Sequence, residues 1–181
     1  MMEDLSFHIL DVVENAVAAG ATRVRIAVNE NERRDRLTIR VSDNGRGMPP
    51  GDLRRALDPF FTTGPKRTGL GLPLLAQAAR QSEGDLALES APGKGTRVVA
   101  WFRYSHLDRQ PLTKMAQTML TLVVGHPEVD FGYRHRRNGR DFAFHSGPYL
   151  KEGGGAAGLD PRLVGTMRRT LQAGLKRIGT T

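Results

Sequence analysis

Two glycine-rich stretches of the sequence contain residues that could bind a nucleotide. The first, Asp43 to Met48, begins with a carboxylate, which accepts hydrogen bonds and does not donate them. Adenine presents an exocyclic amine as a donor, whereas guanine presents an oxygen that would leave two acceptors facing each other, so the pattern favours adenine. Gly45 and Gly47 let the backbone approach a flat base and adopt positive φ. The structural alternative is an ordinary Asp-Asn-Gly turn.

The second stretch, Thr68 to Leu72, precedes Pro73, a residue that the first turn of a helix tolerates. Glycines at the start of a helix offer backbone N–H groups and a positive helix end, which suit phosphates. Lys66 and Arg67 add positive charge just before them. The dinucleotide fingerprint is excluded because its third glycine is missing, and Gly93-Lys94-Gly95-Thr96 does not match a P-loop.

A third candidate group lies near the N-terminus, where Asp11 and Asn15 are spaced to share one face of a helix. Carboxylate and amide oxygens suit Mg²⁺, which is usually held by one or two protein oxygens together with water and substrate phosphates. Asp11 could instead orient or deprotonate a water molecule. Taken alone, the pair would be an ordinary solvated stripe.

The hydrophobic periodicity predicts the elements that position these residues. A helix over 4–19 carries the polar stripe Asp4, His8, Asp11 and Asn15. A hairpin of strands 23–28 and 37–41, joined by a charged turn over 29–36, leads into Asp43. We then expect a short helix from Asp52 to Leu57, a helix that starts on the second glycine stretch and runs to Gly84, strands 85–90 and 96–102, a helix 112–124, a hairpin turning at Asn138-Gly139, and a helix 160–178.

The composition limits the classes of protein that fit. The 181 residues include no cysteine, which excludes disulfides, thiolate metal sites and a thiol nucleophile. No stretch approaches the roughly 20 apolar residues of a membrane span, so we expect a cytoplasmic protein. The net charge of +8 is concentrated after residue 104. We attribute it to solubility or protein contact, and consider nucleic acid unlikely because few aromatic residues interleave with the basic ones.

Together these residues resemble the GHKL superfamily, the ATP-binding fold shared by gyrase, Hsp90, histidine kinases and MutL. Glu14-Asn15-Ala16 is similar to the family's N box, and Asp43 to Met48 to its G1 box. Pro59-Phe60-Phe61-Thr62-Thr63 is similar to the beginning of the histidine-kinase lid, and Thr68 to Leu72 to the G2 box. Pro92-Gly93-Lys94-Gly95-Thr96 resembles the closing box, and the resemblance covers residues 4 to 103.

The resemblance implies an α/β (α+β) two-layer sandwich, with a mixed or antiparallel sheet covered on one face by helices, known as the Bergerat fold. It places an ATP-binding domain at residues 1–104, followed by a small basic α, β-hairpin, α extension at 105–181. The ATP-binding residues that it implies are Asn15, Asp43, Gly45, Gly47, Met48, Thr63, Lys66, Arg67, Thr68, Gly69, Leu70, Gly71, Leu72 and Thr96.

Asn15 and Asp11 would hold Mg²⁺, and Asp11 and Glu14 are the candidate catalytic carboxylates. Four residues before the magnesium-binding Asn, hydrolytic members and anti-sigma-factor serine kinases carry Glu, whereas histidine kinases usually carry Asn; here the residue is Asp11. His8 lies one turn before Asp11, where we expect an exposed or supporting group rather than a phosphoacceptor.

Three functions follow as hypotheses. The first is a kinase that transfers the γ-phosphoryl of ATP to a partner protein. The second is an ATP-hydrolysing or ATP-gated switch that regulates a partner complex, a redox enzyme being one candidate, and the chain could form a homodimer. The least favoured is nucleic-acid binding through Arg134, Arg136, Arg137 and Arg140, which we expect to form a solvated hairpin tip.

Overall fold

A six-stranded sheet forms the frame of the protein. The computed structural model describes residues 4–58, 70–153 and 159–180. The helices are α1 Leu5–Ala18, α2 Pro50–Arg55, α3 Gly71–Gln81, α4 Met115–Gly125, α5 Gly147–Gly153 and α6 Pro161–Ile178. The strands are β1 Arg23–Asn31, β2 Arg36–Asp43, β3 Asp85–Ser90, β4 Thr96–Arg103, β5 Asp130–Arg137 and β6 Arg140–His145.

The strands lie in the order β3-β4-β2-β1-β5-β6. Neighbouring strands are antiparallel except for β1 and β5, which are parallel, so the sheet is mixed. Helices pack on one face of it. The fold expected from the sequence, an α/β sandwich of the Bergerat type, is therefore confirmed.

The β1–β2 hairpin is longer than the sequence indicated. The expected turn over 29–36 shrinks to a short 3-10 helix, Glu32–Arg34, followed by Asp35 with a φ of 49°. The strand continues past Val28 because Glu30 lies on the core side of the sheet, where its carboxylate meets the buried His135 ring at 2.6 Å. A charged residue that pairs inside the core cannot be distinguished from a turn residue by hydropathy alone.

Helix α1 begins where Asp4 caps it. The carboxylate accepts hydrogen bonds from Ser6 N at 2.9 Å and from the Thr113 N–H and hydroxyl at 2.8 and 2.6 Å. Burial raises the pKa of Asp4, but these hydrogen bonds outweigh it and hold the pKa below its usual value. The start of α1 is thus tied to the segment that precedes α4.

The expected polar stripe on α1 is divided in the structure. Asp11 and Asn15 are exposed, whereas Asp4 and His8 are 4% and 3% exposed. His8 Nε2 lies 3.0 Å from Gln110 Oε1 because the chain before α4 crosses this half of α1. Of the two alternatives expected for His8, the structure supports a supporting group and not an exposed one. Its burial leaves it unsuited to accept a phosphoryl group.

Two helix starts differ from expectation, and a third agrees with it. α2 begins at Pro50 with Pro49 as its cap, so Asp52 is not the capping residue. α4 begins at Met115 rather than near residue 112, and the Thr113 N–H before it is bonded to Asp4. α3 begins at Gly71, within the second glycine stretch, as expected.

The C-terminal residues continue the same sheet and core. β5 pairs with β1 along its whole length, and the hairpin turns at Asn138-Gly139 as expected. Phe131 and Tyr133 join a single buried apolar cluster that also contains residues of α1, α3 and α6. The division at residue 104 stays a prediction about domains; in the structure the two parts share one sheet. No helix in the described ranges has the length and hydropathy needed to cross a membrane.

This shared core predicts the effect of one substitution. On Gly174 of α6, an added Cβ would overlap the ring of Phe142 on β6. We expect Gly174→Ala to lower the free energy of unfolding by about 1–3 kcal/mol through overpacking. Urea unfolding, followed by the fluorescence of Trp101, measures this loss of stability. Trp101 is the single tryptophan and lies on β4, a strand of the N-terminal part.

Gly165→Ala in the same helix is the matched control, since its nearest neighbour would be Arg169 Nη1 at 3.7 Å. Helix propensity should make this change neutral or stabilising by up to about 1 kcal/mol. The shared core would be contradicted if the two variants had equal urea midpoints. It would also be contradicted if Gly174→Ala did not shift the unfolding transition reported by Trp101.

Candidate functional site

The end of β2 presents a half-buried carboxylate to the helix-covered side of the sheet. Asp43 follows the buried Val41 on that side, and its Oδ1 accepts the Gly45 N–H at 2.8 Å. Burial raises the pKa of Asp43, and hydrogen bonds from the backbone of Gly45 and Thr96 offset this only in part. An ionised carboxylate at this depth gains from a donor, and the amine of adenine is such a donor.

The loop after Asp43 is held by a residue that the sequence analysis passed over. The Asn44 side chain accepts hydrogen bonds from the backbone N–H groups of Thr22 and Arg23 at 3.0 and 2.8 Å. Its amide nitrogen donates to Thr22 Oγ1 at 2.9 Å. These contacts fix the loop to the turn between α1 and β1, a role that its place in an Asp-Asn-Gly turn could have indicated.

Three backbone segments approach closely at glycines here. A Cβ on Gly45 would lie 3.0 Å from both Ala19 O and Asp43 Oδ1. Gly47 has a φ of +67°, and a Cβ there would run into the carbonyl of Ala91. Gly95 has a φ of +74°, and a Cβ there would run into the carbonyl of Asp43. Gly47 is thus required for packing, whereas Gly45, which does not adopt the expected positive φ, sits where a side chain would be tight.

Ser90, at the end of β3, connects two of these segments. Its hydroxyl accepts the Met48 N–H at 2.9 Å, donates to Gly95 O at 2.8 Å and lies 2.9 Å from Thr96 Oγ1. Sequence reasoning missed it because a serine at a strand end carries no signal of its own. An open depression of about 410 Å³ at this end of the sheet is lined by Ser90 and Thr96 and reaches round to Glu89 and Arg97 on the other face.

The start of α3 lies against α1. A Cβ on Gly71 would be 2.9 Å from Asp11 Cβ and 3.6 Å from Asn15 Nδ2. Among the described residues no side chain caps α3. The structure therefore brings Asp11 and Asn15 beside the start of a helix, where backbone N–H groups are suited to an anion.

The other predicted residues divide into two groups. Leu70 is exposed just before α3, and Leu72 is half-buried in its first turn. Thr63, Lys66, Arg67, Thr68 and Gly69, with the expected beginning of the lid at Pro59, lie outside the described residues, and their roles stay predictions.

Glu14 is engaged on the side of α1 that faces α4. Its Oε1 lies 2.9 Å from Nε2 of His126, whose Nδ1 is 3.6 Å from Glu128. The catalytic role of Glu14 stays a prediction, to which the structure adds a partner from the C-terminal part. His126 was missed because nothing in the sequence indicates that it returns to α1.

The donor set fits a magnesium ion that is brought with a nucleotide. Within the described ranges no three His, Asp or Glu side chains are grouped to hold a metal ion. Mg²⁺ on Asn15 and Asp11 would therefore complete its octahedral shell with phosphate oxygens and water, which is its usual manner of binding.

Comparison with known proteins agrees with this geometry. The family model for histidine kinase-, DNA gyrase B- and HSP90-like ATPases matches residues 3–106. The chain is 47% identical over 88 residues to the sensor protein kinase FleS of Pseudomonas aeruginosa, covering 49% of this chain and 22% of FleS. It is 31% identical over 87 residues to sporulation kinase C of Bacillus subtilis, covering 48% of this chain and 20% of that kinase.

Among solved structures, the N-terminal domain of a DNA repair protein superposes with a TM-score of 0.57 at 16% identity, covering 77% of this chain and 51% of that one. This likeness concerns the fold alone. The chain spans about a fifth of the length of the two kinases that it matches. Since the family model covers more than half of the chain, this protein belongs to the histidine kinase-, DNA gyrase B- and HSP90-like ATPases, the ATP-binding domain type found in histidine kinases.

Proposed function

We propose that this protein binds Mg²⁺·ATP on the helix-covered side of its sheet and transfers the γ-phosphoryl group to a partner protein. The observation that carries the proposal is the contact of α1 with α3, which places Asp11 and Asn15 beside the uncapped start of a helix. Asp43, at the end of β2, supplies the acceptor for adenine. Kinase relatives of the same domain type support transfer over simple binding.

In this proposal the residues act in three groups. Asp43 accepts the adenine amine, with Gly45, Gly47, Met48 and Thr96 shaping the loops around it. Asn15 and Asp11 hold Mg²⁺, which supplies charge neutralisation at the phosphates. The phosphates lie against Leu70, Gly71 and Leu72, with Thr63, Lys66, Arg67, Thr68 and Gly69 contributing from the preceding segment.

The transfer breaks the bond between the γ-phosphorus and the bridging oxygen, and ADP leaves with the electron pair. The new bond joins phosphorus to a nucleophilic nitrogen or oxygen of the partner. Such a reaction needs positioning and charge neutralisation more than covalent chemistry from the protein. The carboxylate of Asp11 would accept the proton that the nucleophile loses.

A second function, ATP hydrolysis that switches a partner complex, is favoured by one specific observation. Residue 11 is a carboxylate beside the phosphate end of the site, where it could also orient water. A redox enzyme is our candidate partner for such a switch, and a second copy of this chain is another.

Replacing Asp11 separates binding from chemistry. In Asp11→Asn, we expect the affinity for ATP to stay within about threefold, while phosphoryl transfer falls by about 10²–10⁴, the usual contribution of a general base. Purified protein, radiolabelled ATP and a native lysate give both readouts, as phosphoprotein and as released phosphate. Asp108→Asn, at a side chain that is 78% exposed, is the control and should change neither.

The two functions give different results in that experiment. Labelled protein that disappears with Asp11→Asn supports the kinase. Phosphate release without any labelled protein supports the switch. If Asp11→Asn turned over ATP at the wild-type rate, Asp11 would have no catalytic role in either function.

The role of Asp43 is tested with a paired change of base and residue. Inosine triphosphate carries an oxygen where ATP carries the amine, so it should bind the wild type at least about tenfold more weakly than ATP. In Asp43→Asn this preference should largely vanish, since the amide can donate to the inosine oxygen. Calorimetric titration of both nucleotides measures this preference, with Asp85→Asn as the control. If Asp43→Asn kept the wild-type preference for ATP, Asp43 would not be the residue that binds adenine.

A further inference from the structure

The second face of the sheet is free of described helices and carries a basic groove. Helices pack on one face only, and alternate residues of each strand point to the other. Across β2, β1 and β5, Arg40 is in register with Ala27, and Ala27 with Arg134. In the next row Thr38 is in register with Asn29, and Asn29 with Arg136.

These two rows define the shape of the groove. Neighbouring strands lie about 4.8 Å apart, so the arginines of β2 and β5 flank a floor about 10 Å wide. The floor consists of short side chains, and the depression has a volume of about 300 Å³ lined by Ala27, Asn29, Thr38, Arg40, Arg134 and Arg136. Arg40 on one side and Arg134 and Arg136 on the other thus border an open groove with a floor of short side chains.

The charge of this groove is only partly neutralised. Arg134 binds Asp141 of β6 through both its carboxylate oxygens, and Arg25 binds Asp130 at 2.5 Å. Among the described residues, Arg40 and Arg136 have no ion pair within 4.0 Å. Arg136 is in register with Asp141, whose pKa it helps to lower, so Arg40 is the least neutralised of the three groove arginines.

The arginines expected at a hairpin tip are therefore distributed differently. Arg134 and Arg136 lie on the uncovered face, whereas Arg137 turns to Glu32 and to the carbonyl of Gly179. Arg140 stands beside the turn. Arg134, Arg136 and Arg140 are exposed, as expected for a solvated tip, but strand alternation places Arg134 and Arg136 on the face opposite to that of Tyr133 and His135.

An aromatic residue stands beside the groove. Trp101 of β4 is in register with Thr38, and is half-buried on the uncovered face. The guanidinium of Arg36 lies 5.2 Å from its ring centroid. Aromatic rings next to cationic side chains are the features with which proteins hold single-stranded bases and their phosphates.

We propose that this uncovered face binds single-stranded nucleic acid, with phosphates between Arg40 and the two arginines of β5 and a base against Trp101. A lipid surface fits less well, since the large exposed apolar side chains of the described residues are Phe7, Leu70, Leu74, Leu107 and Val124, none of which lies on a strand. An acidic protein surface would not need the aromatic ring. The site lies on the opposite face from Asp43, so it is independent of the proposed ATP site.

The single tryptophan makes the test direct. A twelve-residue oligothymidylate should quench Trp101 fluorescence saturably at low salt, and the affinity should fall as salt rises. Arg40→Glu with Arg136→Glu should weaken binding by more than about tenfold, since it reverses two phosphate contacts. Arg168→Glu with Lys176→Glu makes the same charge change on exposed positions of α6 and should alter binding less than about threefold.

Arg40→Gln with Arg136→Gln provides a variant that keeps polar side chains and avoids new repulsion. It should reduce the slope of log affinity against log salt by about 1.4, or about 0.7 per lost phosphate contact. ATP binding and the thermal midpoint, which each variant should retain, show that the fold and the ATP site are intact.

Three results would overturn the proposal. The first is no quenching by the oligonucleotide at low salt. The second is equal weakening in the α6 control, which would reduce the effect to net charge. The third is equally tight, equally quenching binding of a polyglutamate of the same length, which would make the face a site for an acidic protein.

Discussion

The rest of the structure depends on the hydrogen bonds that hold helix α1 against the C-terminal part. Asp4 binds Thr113, His8 binds Gln110 and Glu14 binds His126, so one side of α1 is held along three turns. Its other polar residues, Asp11 and Asn15, are thereby directed to the start of α3. Helix α1 thus contacts both the C-terminal part and the residues of the proposed magnesium site.

The sheet separates two chemistries. Its covered face ends at a half-buried carboxylate, glycine loops and a helix start that no described side chain caps, the features on which the proposed ATP site rests. Its uncovered face is a cationic groove with one tryptophan beside it. Because β1 and β2 contribute to both faces, alternate residues of the same strands serve the two surfaces.

Much of this arrangement could be predicted from the sequence because local signals were strong. The helix periodicity around Asp11 and Asn15 and the strand that leads into Asp43 depend on neighbours in the chain. Long-range pairing could not be predicted in the same way: the burial of His8 depends on Gln110, and the extension of β1 depends on His135. Strand alternation places Arg134 and Arg136 on one face of β5, but only the long-range pairing shows that β1 separates them from Arg40 of β2.

The most direct test of the central claim is paramagnetic NMR with Mn²⁺ in place of Mg²⁺ and a non-hydrolysable ATP analogue. The account predicts that the Asn15 side-chain amide and the Gly71 backbone N–H are among the most strongly broadened signals, and that broadening requires the nucleotide. Sharp Asn15 and Gly71 signals in the saturated complex, with the strongest broadening elsewhere, would contradict it.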